Sequence, residues 1–232
     1  MKEISDLEDY VSTERISTYL KHAHNDKKKA FALYCWNIEI SAEFFKVISS
    51  FEIYIRNAVL KSIEVAFTDG IYNTALLGSL KRKDLNDFIS ILRKFDRRIV
   101  FNYSSHIDQN NPIPSNITIP KGKVVAKQDF YFWEMLLKNN FVNTAIHSNN
   151  REAIKSGFPN IPENVEICEI IRVLTETRGV RNRICHNEHL LNIDLAKLLV
   201  KMGNIMKYID NEIFIFESEK QSVYRLINIK PI

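Results

Sequence analysis

The chain is 232 residues long, 45% hydrophobic and 26% charged, which is ordinary for a globular protein and enough to bury a real core. Its formal net charge of +4 permits a nucleic-acid partner without requiring one, and three cysteines (Cys35, Cys168, Cys185) with no C-x-x-C pair exclude a zinc ribbon or disulfide framework and favour a reduced, cytoplasmic setting. No run approaches the roughly eighteen apolar residues of a membrane span, and residues 1–10 are acidic with no apolar stretch, so neither export nor membrane insertion is expected.

Helix breakers are scarce. Six glycines and six prolines occur, and the prolines gather at Pro112, Pro114 and Pro120, at Pro159 and Pro162, and at Pro231, leaving most of the chain free for helix. An all-α fold is expected. Residues 1–25 read as an N-terminal flap of two short helices, the second starting at Thr13 and ending near Leu20. From Asp26 to Asp69 there is neither glycine nor proline, while Phe44, Ile48, Phe51, Ile55, Val59 and Ile63 recur at threes and fours. This spacing predicts one very long helix, or two with a bend, ended at Gly70 as its C-cap. Within it Glu52, Arg56 and Asn57 lie beside Phe51 and Ile55. Glu52 and Arg56 stand at i and i+4, which suits a plain intrahelical ion pair worth about 0.2–0.5 kcal/mol.

Residues 71–98 predict a turn and then a helix from Lys83 to Phe95, with Leu85, Phe88, Ile89, Leu92 and Phe95 on one side. Basic residues at both ends (Lys81, Arg82, Lys83; Arg93, Lys94, Arg97, Arg98) fit a solvated face or a track along a phosphate backbone. Periodicity then vanishes between Ile99 and Lys127, predicting a long irregular insertion of the kind that caps clefts. Helix resumes through Phe130, Phe132, Trp133, Leu136 and Leu137, an aromatic density that suits a core. A short helix at residues 151–156 ends at Gly157, and Asn192 or Asp194 can N-cap a last long helix carrying Leu195, Leu198, Leu199, Met202, Ile205, Met206 and Ile209. The tail, residues 218–232, reads as a short strand or extended segment over 223–229. With no repeat or low-complexity linker, residues 1–232 are expected to form a single helical domain.

The stretch that breaks the pattern is R-G-V-R-N-R-I-C-H-N-E-H, residues 178–189. Before it, Ile167, Ile171 and Leu174 mark an apolar seam. Stepping on by fours gives Arg178, Asn182 and His186, so the seam is expected to turn polar, and polar groups on a buried face cost about 1–3 kcal/mol each unless satisfied. Arg181 and His186 are five residues apart, about 140° around a helix, so they are flank and face of the same surface. A two-fold dimer would gather two arginines and two histidines in one cleft.

Elimination narrows the chemistry. There is no Walker loop, dinucleotide fingerprint, H-E-x-x-H or G-x-S-x-G. His22 and His24 lie in the flap, His106 and His147 stand alone, and His186 and His189 have no carboxylates at ligand spacing, so no metal or cofactor is implied. Histidine with arginine suits metal-free phosphodiester cleavage. A histidine can take the proton of a ribose 2′-hydroxyl or protonate the leaving 5′-oxygen, and an arginine neutralises charge on the phosphoryl oxygens. The residues alone equally allow a polar seam at a dimer interface.

L-T-E-T-R-G-V-R-N-R-I-C-H-N-E resembles the R-N-x-x-x-H signature of the HEPN superfamily, and within it the Abi-like abortive-infection proteins, with Arg181, Asn182, Arg183, His186 and Glu188 in the corresponding places. A-L-Y-C-W-N (32–37), S-F-E-I-Y-I-R-N-A (50–58) and F-Y-F-W-E-M-L-L (130–137) are similar to three further elements of that family, in the same order. The resemblance implies a HEPN-like helical bundle and a homodimer. It also implies an RNA-directed toxin of phage defence, a metal-independent endoribonuclease leaving 2′,3′-cyclic phosphate ends. By match, Arg181 and His186 are catalytic, and Asn182, Glu188, Glu52, Arg56 and Asn57 support them. Arg178, Arg183 and His189 are candidate RNA contacts. The alternative is a non-catalytic dimeric module that binds RNA, a nucleotide or an antitoxin partner. The sequence departs from the family at Asn187, which replaces a second histidine, at His189, which replaces a proline, and at Gly179, which costs about 1 kcal/mol inside a helix.

Overall fold

Backbone signals at each helix end account for the element order in the computed structural model, which describes residues 11–97, 99, 119–147, 151–212 and 214–231. Among these residues every regular element is helical and there is no strand. Helix α1 (Thr13–His22) starts where the Ser12 hydroxyl accepts the Arg15 N–H, and stops where His24 and Asn25 take positive φ. Asp26 then caps α2 (Lys27–Ala66) by accepting the Lys28 and Lys29 N–H groups at 2.9 and 3.1 Å. With no breaker in 40 residues, α2 runs as one helix. It ends before Asp69 and Gly70, both left-handed, and Gly70 opens a single 3-10 turn, Gly70–Tyr72, rather than serving as the C-cap itself.

There follow α3 (Thr74–Ser79), α4 (Arg82–Arg93), α5 (Lys121–Lys127), α6 (Phe130–Lys138), α7 (Asn140–His147), α8 (Glu152–Gly157), α9 (Ile167–Cys185), α10 (Leu195–Ile209) and α11 (Phe214–Asn228). The described residues cluster into two units, the first comprising residues up to 50, 179–203 and 213 onward, the second residues 51–178 and 204–212.

In the first unit the buried positions of α2 are Leu33, Trp36, Ile40, Phe44, Val47 and Ile48, together with Ile16 and Tyr19 of α1, Leu198, Leu199 and Met202 of α10, and Phe216, Val223 and Leu226 of α11. The Trp36 indole N–H donates to the Leu226 carbonyl at 2.8 Å, and the Lys230 ammonium lies 5.1 Å from the Trp36 ring. Residues 223–228 belong to α11, and Ile229 follows it in a turn. Val223 and Leu226 are three apart and both buried, so the segment is the inner face of α11, correcting the expected strand or extended tail.

In the second unit α7 packs on α3, α6 and α8, and α4 on α5. Phe132 stacks on Phe88 with ring centroids 5.4 Å apart, and Trp133 is fully buried, so the aromatic run of α6 is core as expected. Close packing demands glycine at Gly157. A Cβ there would stand 2.0 Å from the Ala58 carbonyl oxygen and 2.5 Å from Ser62 Oγ, because α8 meets α2 backbone to backbone. Two short helices, α3 and α7, carry too few turns to show a period in sequence. Lys121–Lys127, expected within the irregular insertion, is helical; residues 100–118 lie outside the described residues, as does the segment expected to hold the first flap helix.

Candidate functional site

The end of α9 is built by a capping motif. Asn187 takes φ 52°, its N–H donates to the Ile184 carbonyl at 3.0 Å, and the Glu188 N–H donates to the Arg183 carbonyl at 2.8 Å. That is the paired 6→1 and 5→2 bonding of a Schellman motif, with asparagine in the left-handed position where a β-branched or bulky residue would be strained. Asn187 therefore has a local physical role as the left-handed cap residue of α9. His186 is the residue at the cap, its N–H still bonded to the Asn182 carbonyl at 3.0 Å, and its side chain is exposed just beyond the last helical residue, Cys185.

The apolar seam of α9 does not turn polar, contrary to the reading by fours. Ile170, Val173, Leu174, Thr177 and Val180 are buried, stepping mainly by threes. Each step of four advances about 40° past a full turn, so Arg178, Asn182 and His186 drift progressively off the seam. Arg178 and Asn182 are half-buried flanks and His186 is outside.

Arg178, expected among the RNA contacts, is instead held by Glu134 of α6. Its Nε and Nη2 donate to the two carboxylate oxygens, the latter at 3.4 Å, and the Tyr131 ring lies 5.4 Å from the guanidinium. Glu134 is fully buried and also accepts from Lys138 and from the Thr175 hydroxyl at 2.8 Å. Burial pushes the Glu134 carboxyl up, but the hydrogen bonds from Arg178, Lys138 and Thr175 outweigh it and hold the group below its ordinary value. The same pair raises the Arg178 pKa. Glu134 was not singled out in sequence, although it stands inside the F-Y-F-W-E-M-L-L segment; a carboxylate in an otherwise apolar helix face is the signal.

One turn further on, Arg181 is half-buried with no hydrogen bond or ion pair among the described residues, and Asn182 flanks it. Arg183 is exposed, donates to the His189 carbonyl at 3.2 Å and lies 3.8 Å from Glu188. Glu188 is thus a surface partner of Arg183. Glu52 and Arg56 belong to the second unit and form the i,i+4 ion pair at 3.3 Å; Asn57 is exposed.

The loop after α9 is tied down by Asn37, a buried residue of α2 whose Oδ1 accepts the Leu190 N–H at 2.7 Å. Asn37 and Trp36 close the A-L-Y-C-W-N segment, and both hold parts of the same unit, one the loop and the other α11. His189 sits between, its ring edge-on to Tyr19 and 6.3 Å from the His22 ring. Its Nδ1 is buried without a partner. Burial, then the charge of Arg183 and the nearness of His22, push its pKa down, opposed by Glu188. Among the described residues no three His, Cys, Asp or Glu side chains come together as a metal site, and no helix is long and apolar enough to cross a membrane. No family model, curated protein or solved structure matches the chain.

Proposed function

We propose that the chain is an Abi-like HEPN protein of phage defence that cleaves RNA without a metal ion, through Arg181 and His186. The observation that carries this reading is the contrast on α9: Arg178 is consumed by Glu134, whereas Arg181 is half-buried with its guanidinium unpaired among the described residues, and His186 offers an exposed ring at the helix end. A half-buried guanidinium without a carboxylate partner is suited to bind a phosphate.

The His186 imidazole takes the 2′-hydroxyl proton as the 2′-oxygen bonds to phosphorus. The 5′-oxygen leaves with a proton, giving a 2′,3′-cyclic phosphate and a 5′-hydroxyl. Arg181 stabilises the charge on the non-bridging oxygens and Asn182 orients the pair. A second copy across a two-fold axis supplies the remaining acid or base.

Purified protein incubated with RNA in EDTA should leave cyclic phosphate ends, and His186→Ala should lower the rate about 10²–10⁴-fold with the far-UV spectrum unchanged. Activity that persists in His186→Ala, or that requires a divalent metal, overturns the mechanism. Asn187, fixed as a cap residue where a second histidine would stand, favours a second reading: a dimeric module that binds RNA, a nucleotide or an antitoxin without cutting. Tight RNA binding without cleavage, insensitive to His186→Ala, supports that one.

A further inference from the structure

Helix α1 and the loop after α9 enclose an open cavity of about 450 Å³, lined by Ser17, Thr18, Lys21, His22, His189 and Asn192. Its composition is one-sided. Among the described residues, one permanent cation, two imidazoles, two hydroxyls and an amide line it, and no carboxylate does. The Ser17 hydroxyl gives its proton to the Glu14 carbonyl, but the Lys21 ammonium and the His22 ring nitrogens have no hydrogen bond or ion pair among the described residues. The two imidazoles, 6.3 Å apart between centroids, are close enough for one tetrahedral oxyanion to meet both.

Two helix C-termini border the cavity, and their partial negative charge opposes an anion. Both are blunted. The Asn25 N–H caps the Leu20 carbonyl at 2.8 Å, and the Glu188 N–H caps that of Arg183. Two termini of about half a charge each would together match the full charge of Lys21, and capping of their carbonyls lowers their share. A metal ion is the poorer occupant, since two imidazoles without a third donor make an incomplete set. The volume exceeds what inorganic phosphate needs and falls in the range of small-molecule sites.

We infer that this cavity is a phosphoryl-binding site, taking the phosphate group of a nucleotide or of an RNA end between Lys21, His22 and His189. The inference is independent of cleavage at Arg181 and His186, neither of which lines the cavity. Titration calorimetry with inorganic phosphate, AMP and adenosine reads the site. Phosphate and AMP should bind and adenosine should not, and Lys21→Glu should weaken AMP at least tenfold. Because Lys21 and His22 are exposed, Lys21→Gln and His22→Ala serve as milder variants if Lys21→Glu does not fold, and their double variant should lose binding. A short non-hydrolysable 2′-O-methyl RNA with and without a 5′-phosphate separates the two sources: preference for the phosphorylated end assigns the site to RNA, and AMP binding with no such preference assigns it to a free nucleotide. Equal binding of adenosine and AMP, or AMP affinity unchanged in the double variant, overturns it.

Discussion

Arg178 and Arg181 are three residues apart on one helix and live in opposite circumstances. Arg178 meets a fully buried carboxylate, an aromatic face and a threonine-supported network, whereas Arg181 meets no partner among the described residues. The difference teaches that an arginine beside an apolar seam says nothing about its role until its partner is known. A buried carboxylate makes it a brace, and the lack of one makes it available to a ligand.

The largest effect is expected from breaking the brace. Arg178→Ala takes the guanidinium from the fully buried Glu134 carboxylate and should cost about 3–5 kcal/mol in urea denaturation; a cost below 1 kcal/mol would mean that Lys138 and Thr175 satisfy Glu134 alone and the contrast is empty. The same pair has a pH signature. The Glu134 carboxyl is held below its ordinary value of 4.5, so its contribution is fully present above that pH and is lost as the pH falls through the lower folded value. The midpoint of urea unfolding should fall on acidification below pH 4.5 more in the parent than in Glu134→Gln.

Next comes the loop beside the unpaired arginine. Asn37→Ala leaves the Leu190 N–H without an acceptor in a buried position and should cost about 1–3 kcal/mol, with added hydrogen exchange confined to the segment after His186. Exchange unchanged there would show that Asn37 does not hold the loop. Between the two arginines, Gly179 is exposed and a Cβ would meet nothing within 4 Å. Gly179→Ala should therefore stabilise by about 0.5–1 kcal/mol in thermal melts. Stabilisation accompanied by lost RNA binding or cleavage would mark an approach to the backbone at that turn. The smallest effect belongs to Glu52→Gln, which weakens an i,i+4 pair with both side chains about 18% exposed and should cost no more than about 0.5 kcal/mol.

Much of the fold was legible in sequence because long periodic segments without breakers leave few alternatives. Phe44, Ile48, Phe51, Ile55, Val59 and Ile63 marked α2, and all are buried. The misses share a cause. Residues 74–79 and 140–147 span about two turns, too few for a period, and residues 223–229 mix Val, Tyr and Ile with polar residues in a way that satisfies strand and helix alike until Trp36 and the neighbouring core select the helix. The candidate site was legible as a cluster of residue types at 178–189, but extrapolating its seam by exact fours misplaced Arg178, Asn182 and His186 relative to the buried stripe.

By itself, then, the sequence determined the helical class, the long α2, the aromatic core of α6 and the cluster of arginines and histidines at 178–189, since these follow from local periodicity and side-chain type. Which arginine is a brace and which is unpaired, why Asn187 stands where it does, how Asn37 holds the chain beyond His189, and that His22 meets His189 across a cavity were decided only in three dimensions. Each depends on a partner tens of residues away or on the backbone twist of a cap, and neither leaves a period in the chain.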